Sequence, residues 1–175
     1  MPNTKEKNPF DWGLLFLWMV ATTMGWFLGQ AILPGVAVII TGFGIGILQW
    51  LILQGRFPKT WHWIVASGLG WAAGWVISYL GLPQEMEILA GMVFGATMGA
   101  AQWLILRHRV RWSGWWIVVS IVGWTTGLTL LPGILLTGIM GGLITGIALE
   151  ILLRFPLARP DSKKKSSALW GKPEV

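Results

Sequence analysis

The 175-residue sequence has no cysteine, which excludes disulfides and thiolate metal sites. Charged residues are also scarce: they make up 11% of the chain, whereas a soluble domain carries roughly a quarter. The stretches 12–55 and 112–149 contain no Lys, Arg, Asp or Glu. A membrane-spanning helix needs about 20 mainly apolar residues, and the first stretch has room for two. The composition therefore predicts an all-α membrane protein rather than a soluble protein, whose helices would carry a charged outer face.

The sequence contains an internal repeat. Residues 42–74 and 95–127 align without a gap, and 15 of these 33 positions are identical. One half of the shared pattern is G-x3-G-x2-QWLIL, and the other is WIV-x-S-x2-GW-x2-G. The second half recurs in modified form at 18–29, and the first half at 142–154, where Leu-Glu replaces Gln-Trp. This pattern predicts a six-transmembrane helical bundle built from three two-helix hairpin repeats.

The domain boundaries follow from the apolar segments. The predicted spans are 11–31, 35–54, 61–81, 87–106, 113–131 and 134–153, within a transmembrane domain of residues 11–155. A cytoplasmic segment, 1–10, precedes this domain. A basic tail, 156–175, follows it and is expected to be disordered because it is polar and lacks periodicity.

The basic residues fix a predicted orientation. When the spans are counted along the chain, all 13 Lys and Arg residues fall on one side. Positive residues mark the cytoplasmic side, so both termini are expected in the cytoplasm. The net charge of +6 is explained by this topology and does not indicate nucleic-acid binding. The expected partners are the lipid bilayer and, on the cytoplasmic side, anionic lipids or a membrane protein complex.

Five polar residues are predicted to form one layer within the bundle. Gln49 and Gln102 lie about 8–10 Å from their cytoplasmic loops, at 1.5 Å per residue. Thr22, Ser67 and Ser120 lie at nearly the same depth on the other helix type. Both sets share a face with Gly-x3-Gly spacings, through which helices approach closely in lipid. We expect the Gln amides to bond the hydroxyls or backbone across helices; ligand binding by the two glutamines is the alternative.

Apart from Asp11 and Glu87, which are the first residues of their spans, Glu150 is the one acid placed within a predicted span, where an ionisable group is a functional hypothesis by default. Arg154 follows one turn later, at the spacing of an i,i+4 ion pair. We expect an ion pair near the membrane interface, and a proton or cation role for Glu150 is the alternative.

The 14 Trp residues are expected to have two roles. Those predicted to anchor the spans at the cytoplasmic boundary are Trp12, Trp50, Trp61, Trp63, Trp103, Trp112, Trp115 and Trp116. Trp26, Trp71 and Trp124 lie deeper on the glycine face, where packing against a glycine groove is favoured over contact with a planar lipid or pigment. His62 and His108 each lie alone in a basic loop, and solvation is expected rather than ligation of chlorophyll or a metal. The sequence requires no cofactor, and chlorophyll and carotenoid are the pigments considered.

The Gln-Trp-Leu-Ile-Leu string, with Gly-x3-Gly before it and Gly-Trp-x2-Gly after it, resembles a group of repeat membrane proteins common in cyanobacteria. The resemblance covers nearly all of residues 12–154. It implies a bacterial inner or thylakoid membrane but brings no activity that can be carried over. In the last copy Leu149-Glu150 replaces the Gln-Trp pair, so a site built on that pair would occur twice.

No nucleophile–base pair, metal cluster or phosphate-binding loop is visible, so an enzyme is not expected. The sequence predicts a non-catalytic integral membrane protein that binds or scaffolds lipid, pigment or a larger membrane complex. The candidate binding residues are Gln49, Gln102, Ser67, Ser120, Thr22, Glu150, Trp71 and Trp124. The alternative is a small-solute or ion transporter or channel, because internal repeats are common in transporters. A continuous polar cavity would favour transport, whereas a closed bundle with an exposed aromatic groove would favour binding.

Overall fold

The structure, a computed structural model, describes residues 9–31, 34–56, 60–83, 85–130 and 133–157. Six α-helices account for most of these residues. They are α1 (Trp12–Ala31), α2 (Pro34–Leu53), α3 (His62–Gly81), α4 (Glu87–Leu106), α5 (Trp115–Thr129) and α6 (Ile134–Leu153). The predicted spans differ from these bounds by at most two residues at either end. Apart from residues 9–10 and 156–157, the predicted N-terminal segment and basic tail lie outside the described residues.

Four of the six helices are long and apolar enough to cross a membrane when only the described residues are considered: α1, α3, α4 and α6. Each has 20 residues, which at 1.5 Å per residue gives about 30 Å, the thickness of a bilayer's hydrocarbon core. The apolar described parts of α2 and α5 are shorter. These dimensions, together with exposed apolar side chains along the helices, indicate a membrane protein.

The helices are arranged as a closed ring. Each helix packs against the next along the chain, and α6 returns to pack against α1. Within the described residues, the backbones of two helices approach closely only when the helices are neighbours in this ring. In the part of the chain that the structure describes, side chains of these six helices meet around the central axis.

Glycines allow the neighbouring helices to approach closely. A Cβ on Gly25 of α1 would lie 2.6 Å from the Cα of Ile45 on α2, and one on Gly70 of α3 would lie 2.7 Å from the Cα of Met98 on α4. At the α6–α1 contact, a Cβ on Gly142 would lie 2.8 Å from the Cα of Met19. Such short separations leave no room for a methyl group, so the predicted Gly-x3-Gly faces are helix–helix contact faces.

The five described arginines lie at one end of the ring, where α2, α4 and α6 end and α1, α3 and α5 begin. Here the connection between α4 and α5 is joined to the segment that follows α6. Arg111 N–H donates to the carbonyl of Phe155 at 2.9 Å, and Leu157 N–H donates to the carbonyl of Arg109 at 2.9 Å. This bridge fixes the start of α5 against the end of α6. We call the end of the ring that holds the five described arginines the arginine end.

Candidate functional site

Three tryptophans meet at the centre of the ring. Trp18 of α1, Trp63 of α3 and Trp116 of α5 are at most 1% exposed. Their ring centroids are 5.8 to 6.1 Å apart in edge-to-face arrangements, a geometry worth about 0.5–1.5 kcal/mol per pair beyond burial. The prediction that Trp63 and Trp116 anchor the protein at the membrane boundary is therefore wrong. Both indoles point into the bundle, because a hydrogen-bond acceptor is buried there for each N–H.

Those acceptors are the two glutamines. Trp63 Nε1 donates to Gln49 Oε1 at 2.9 Å, and Trp116 Nε1 donates to Gln102 Oε1 at 3.0 Å. Each amide then donates to a hydroxyl of the preceding helix. Gln49 Nε2 lies 3.0 Å from Thr22 Oγ1, and Gln102 Nε2 lies 2.8 Å from Ser67 Oγ. The predicted contacts of the two glutamines with Thr22 and Ser67 are confirmed, and each glutamine connects the helix before it with the helix after it.

We call the hydrogen bonds that one of α2, α4 and α6 makes with its neighbouring helices a junction. The α6 junction differs from the other two. Trp18 Nε1 donates at 3.1 Å to Thr145 Oγ1, and Thr145 in turn donates to the carbonyl of Gly141 on its own helix. Thr145 therefore takes the place that Gln49 and Gln102 occupy elsewhere, although sequence comparison assigned that place to Leu149, one turn later. The shorter threonine makes no hydrogen bond with Ser120, whose buried hydroxyl has no partner. The prediction that Ser120 bonds within the polar layer is wrong for this reason.

A second tryptophan layer lies farther from the arginine end. Trp26, Trp71 and Trp124 have ring centroids 5.2 to 6.0 Å apart. Trp71 and Trp124 are 4% and 3% exposed, so the bundle itself surrounds both candidate binding residues. Trp71 packs against Gly42, as predicted, since a Cβ there would lie 2.5 Å from the Cβ of Trp71. The two layers together place six indoles across the axis of the ring.

Glu150 is buried at the arginine end, and its predicted ion pair with Arg154 is confirmed. Arg154 donates through Nε to Oε2 at 2.8 Å and through a terminal nitrogen to Oε1 at 2.7 Å. Glu150 Oε1 also accepts the backbone N–H of Asp11 at 2.9 Å. The Asp11 carboxylate caps α1 by accepting the N–H of Leu14 at 2.8 Å, and it pairs with Arg56 at 2.7 Å. These contacts tie α1 to the ends of α2 and α6.

The Leu14 N–H, and after it the Arg56 guanidinium, hold the pKa of Asp11 below its ordinary value, because both favour the charged carboxylate. A half-open cavity of about 640 Å³ lies beside this cluster, lined by Phe10, Trp12 and both ion pairs. The guanidinium of Arg154 also lies 5.6 Å from the centroid of the Phe10 ring. The carboxylates here are satisfied by cations and backbone donors, which is the arrangement of a structural ion-pair network.

A groove on the outside of the ring was not predicted. It lies between α5 and α6 at the arginine end, has a volume of about 270 Å³ and is lined only by apolar surface. Its walls are Trp112, Trp115, Val119, Ala148, Ile151, Leu152 and Phe155. The two indoles also border a shallower cavity of about 330 Å³ next to Arg111. Sequence reasoning placed these tryptophans at the membrane boundary but could not show that they flank one groove.

The histidines of the basic loops are exposed at the arginine end. The His62 ring stacks on Trp61, with centroids 4.0 Å apart, and His108 Nε2 accepts from Arg107 Nε at 3.0 Å. Among the described residues, no three His, Cys, Asp or Glu side chains are grouped closely enough to hold a metal ion. The chain matches no protein-family model, no curated protein and no solved structure.

Proposed function

We propose that this protein is a non-catalytic integral membrane scaffold that binds lipid on its outer surface and does not pass solute along its axis. The observation that carries this proposal is the pair of tryptophan layers. Six indoles meet across the centre of the ring, whereas a transporter needs a polar path to the middle of the membrane. The aromatic groove between α5 and α6 supports binding from outside.

The proposal includes the finer organisation predicted from the sequence. Three two-helix hairpins, α1–α2, α3–α4 and α5–α6, make up the ring, and both termini lie in the cytoplasm of a bacterial inner or thylakoid membrane. The matching Trp–Gln, Trp–Gln and Trp–Thr hydrogen bonds support the repeat. The five described arginines at one end support the orientation, because Lys and Arg accumulate on the cytoplasmic side.

A flux experiment tests the proposal. The full chain is reconstituted into vesicles of phosphatidylglycerol and phosphatidylcholine, and uptake of protons, K⁺ and glycerol is followed with entrapped dyes or by light scattering. We expect wild-type vesicles to match protein-free vesicles. Flux above that background in the wild type would overturn the proposal.

A leak-prone variant shows that the assay can detect passage along the axis. Trp18→Ala combined with Trp71→Ala removes one indole from each layer, and we expect flux above that of the wild type if this variant stays folded.

Lipids and pigments that co-purify with the wild type are identified by mass spectrometry and absorption spectroscopy. We expect bound lipid without pigment absorption; stoichiometric chlorophyll or carotenoid would replace lipid as the ligand of the scaffold.

A further inference from the structure

The groove between α5 and α6 has an apolar interior and an aromatic rim. Trp112 and Trp115 are 53% and 60% exposed, although both indoles are large and largely apolar. Phe155 and Ile151 complete the rim on the α6 side. An indole at a membrane boundary places its apolar body against acyl chains and its N–H near the headgroups. With the arginine end at the membrane surface, as in the proposed function, the groove lies at the depth where a phospholipid changes from tail to headgroup.

A cation lies next to this apolar surface. The guanidinium of Arg111 is 5.6 Å from the centroid of the Trp112 ring, and Arg111 also borders the neighbouring cavity. Its backbone N–H donates at 2.9 Å to the carbonyl of Phe155, which lines the groove, so the main chain of Arg111 is held beside the groove. The described carboxylates at this end, Asp11 and Glu150, are paired with Arg56 and Arg154. Arg111 thus offers an exposed guanidinium beside Trp112, one of the two indoles that border the apolar groove.

We propose that this groove binds one anionic phospholipid, with an acyl chain between α5 and α6 and the headgroup phosphate against Arg111. The inference rests on the membrane placement in the proposed function and names the ligand of the scaffold. Arg is suited to this role because its planar guanidinium can donate two hydrogen bonds to one phosphate. A bilayer also presents acyl chains to any apolar surface at this depth, so the groove requires no other occupant.

The aromatic rim of the groove occurs in one of the three copies of the repeat. In the gap-free alignment of the repeat, Trp112 and Trp115 correspond to Lys59 and His62. When the alignment is extended through Trp18 and Trp116, they correspond to Leu14 and Leu17. Only the α5 copy places two indoles at these positions, so we expect one bound lipid per chain and not three.

Native mass spectrometry of the full chain in mild detergent tests the inference. Phosphatidylglycerol and phosphatidylcholine with identical acyl chains are added at equal concentrations, and retained lipid is counted. We expect the wild type to retain one phosphatidylglycerol with about fivefold preference, the size of effect expected from one basic residue near a headgroup. Arg111→Gln should abolish the preference, and Trp115→Ala should reduce retention of both lipids.

Matched controls separate this groove from general surface charge and aromatic content. Arg107→Gln removes a neighbouring arginine that lies over Trp103, and Trp61→Ala removes another exposed indole; both should behave like the wild type. Equal loss with Arg107→Gln and Arg111→Gln, or retention unaffected by Trp115→Ala in folded protein, would overturn the site. Either result would leave the flux prediction of the scaffold proposal standing. Solute flux through the wild type would instead overturn the scaffold proposal and would not change the number of lipids that the chain retains.

Discussion

Trp18 Nε1 donates a hydrogen bond at 3.1 Å to Thr145 Oγ1, which lies 127 residues later in the chain. This contact joins α1 to α6 at the level of the first tryptophan layer. Thr145 accepts from its indole as Gln49 and Gln102 do, but it makes no bond with Ser120. One junction of the three therefore lacks a hydrogen bond that the others have, and this difference allows matched comparisons.

Replacing Ser67 or Ser120 by Ala should have different effects although the two serines occupy equivalent positions. Ser67→Ala removes the 2.8 Å acceptor of Gln102 Nε2, whereas Ser120 has no partner to lose. We expect a loss of about 1 kcal/mol in the free energy of unfolding for Ser67→Ala and a change near zero for Ser120→Ala. The measurement is the midpoint of thermal unfolding in mild detergent. Equal destabilisation by the two substitutions would contradict the hydrogen-bond assignment.

Thr145→Gln should stabilise the α6 junction. The longer amide can accept from Trp18 and also donate to the buried Ser120 hydroxyl, which gives this junction the bonds present at the other two. We expect an increase of about 0.5–1 kcal/mol in the free energy of unfolding. Thr145→Val, which keeps the shape but removes the acceptor, should destabilise the protein. The prediction fails if Thr145→Gln unfolds at or below the temperature of Thr145→Val.

Gly25→Ala should separate α1 from α2. The added Cβ would lie 2.6 Å from backbone atoms of Ile45, which cannot move without shifting the helix. We expect a loss of about 1–3 kcal/mol, typical of overpacking at a tight contact. Gly81→Ala is the control, since a Cβ at Gly81 has no neighbour within 4 Å. Chemical unfolding of both variants in mixed micelles gives the comparison, and similar stabilities would show that the Gly25 contact is looser than described.

Breaking the Glu150–Arg154 pair should have asymmetric effects. The carboxylate side chain is 6% exposed and that of the arginine 39% exposed, so only the arginine can be rehydrated easily. We expect Arg154→Gln to cost more stability than Glu150→Gln, by about 1 kcal/mol or more, because it leaves a buried charge without its cation. Glu150→Gln should leave flux in vesicles at background. A proton or cation role for Glu150 would be supported instead if the wild type conducts and Glu150→Gln does not.

Asp11 should make stability depend on pH at the acidic end. Its pKa is lowered from the ordinary value of 3.8, chiefly by the Leu14 N–H and then by Arg56. A lowered pKa stabilises the folded state above pH 3.8, and this contribution is lost as the pH falls through the folded-state pKa. Thermal midpoints measured from pH 7 to pH 3 should therefore fall less for Asp11→Asn than for the wild type. Parallel curves for the two proteins would rule out this contribution.

The helices and the glutamine contacts could be predicted because apolar length and repeated spacing determine them. The register of α6 against its neighbouring helices could not be predicted. Gly138, Gly142 and Gly146 are four residues apart, so sliding the helix by one turn preserves its Gly-x3-Gly face and nearly the same orientation. The contacts of α6 with its neighbours, such as those of Gly142 with Met19 and of Thr145 with Trp18, distinguish the two registers.

The depth of the tryptophans was also ambiguous in the sequence. Trp61 and Trp63 are two residues apart near the start of α3, and both are compatible with a membrane boundary. Their directions differ, however, and Trp63 meets the buried Gln49 while Trp61 stays 55% exposed. The groove at Trp112 and Trp115 depends on the packing of α5 against α6, which no local pattern specifies.

Because α6 packs against α1, the order of helices around the ring has no structural break between its first and last members. The backbone N–H of Asp11 already contacts the side chain of Glu150, so the two chain segments meet at the arginine end. A circularly permuted chain, with a short linker from the end of α6 to the start of α1 and new termini between α2 and α3, should form the same six-helix ring. The faces that the helices present to one another then specify the ring, and the positions of the loops decide only where the chain begins and ends within it.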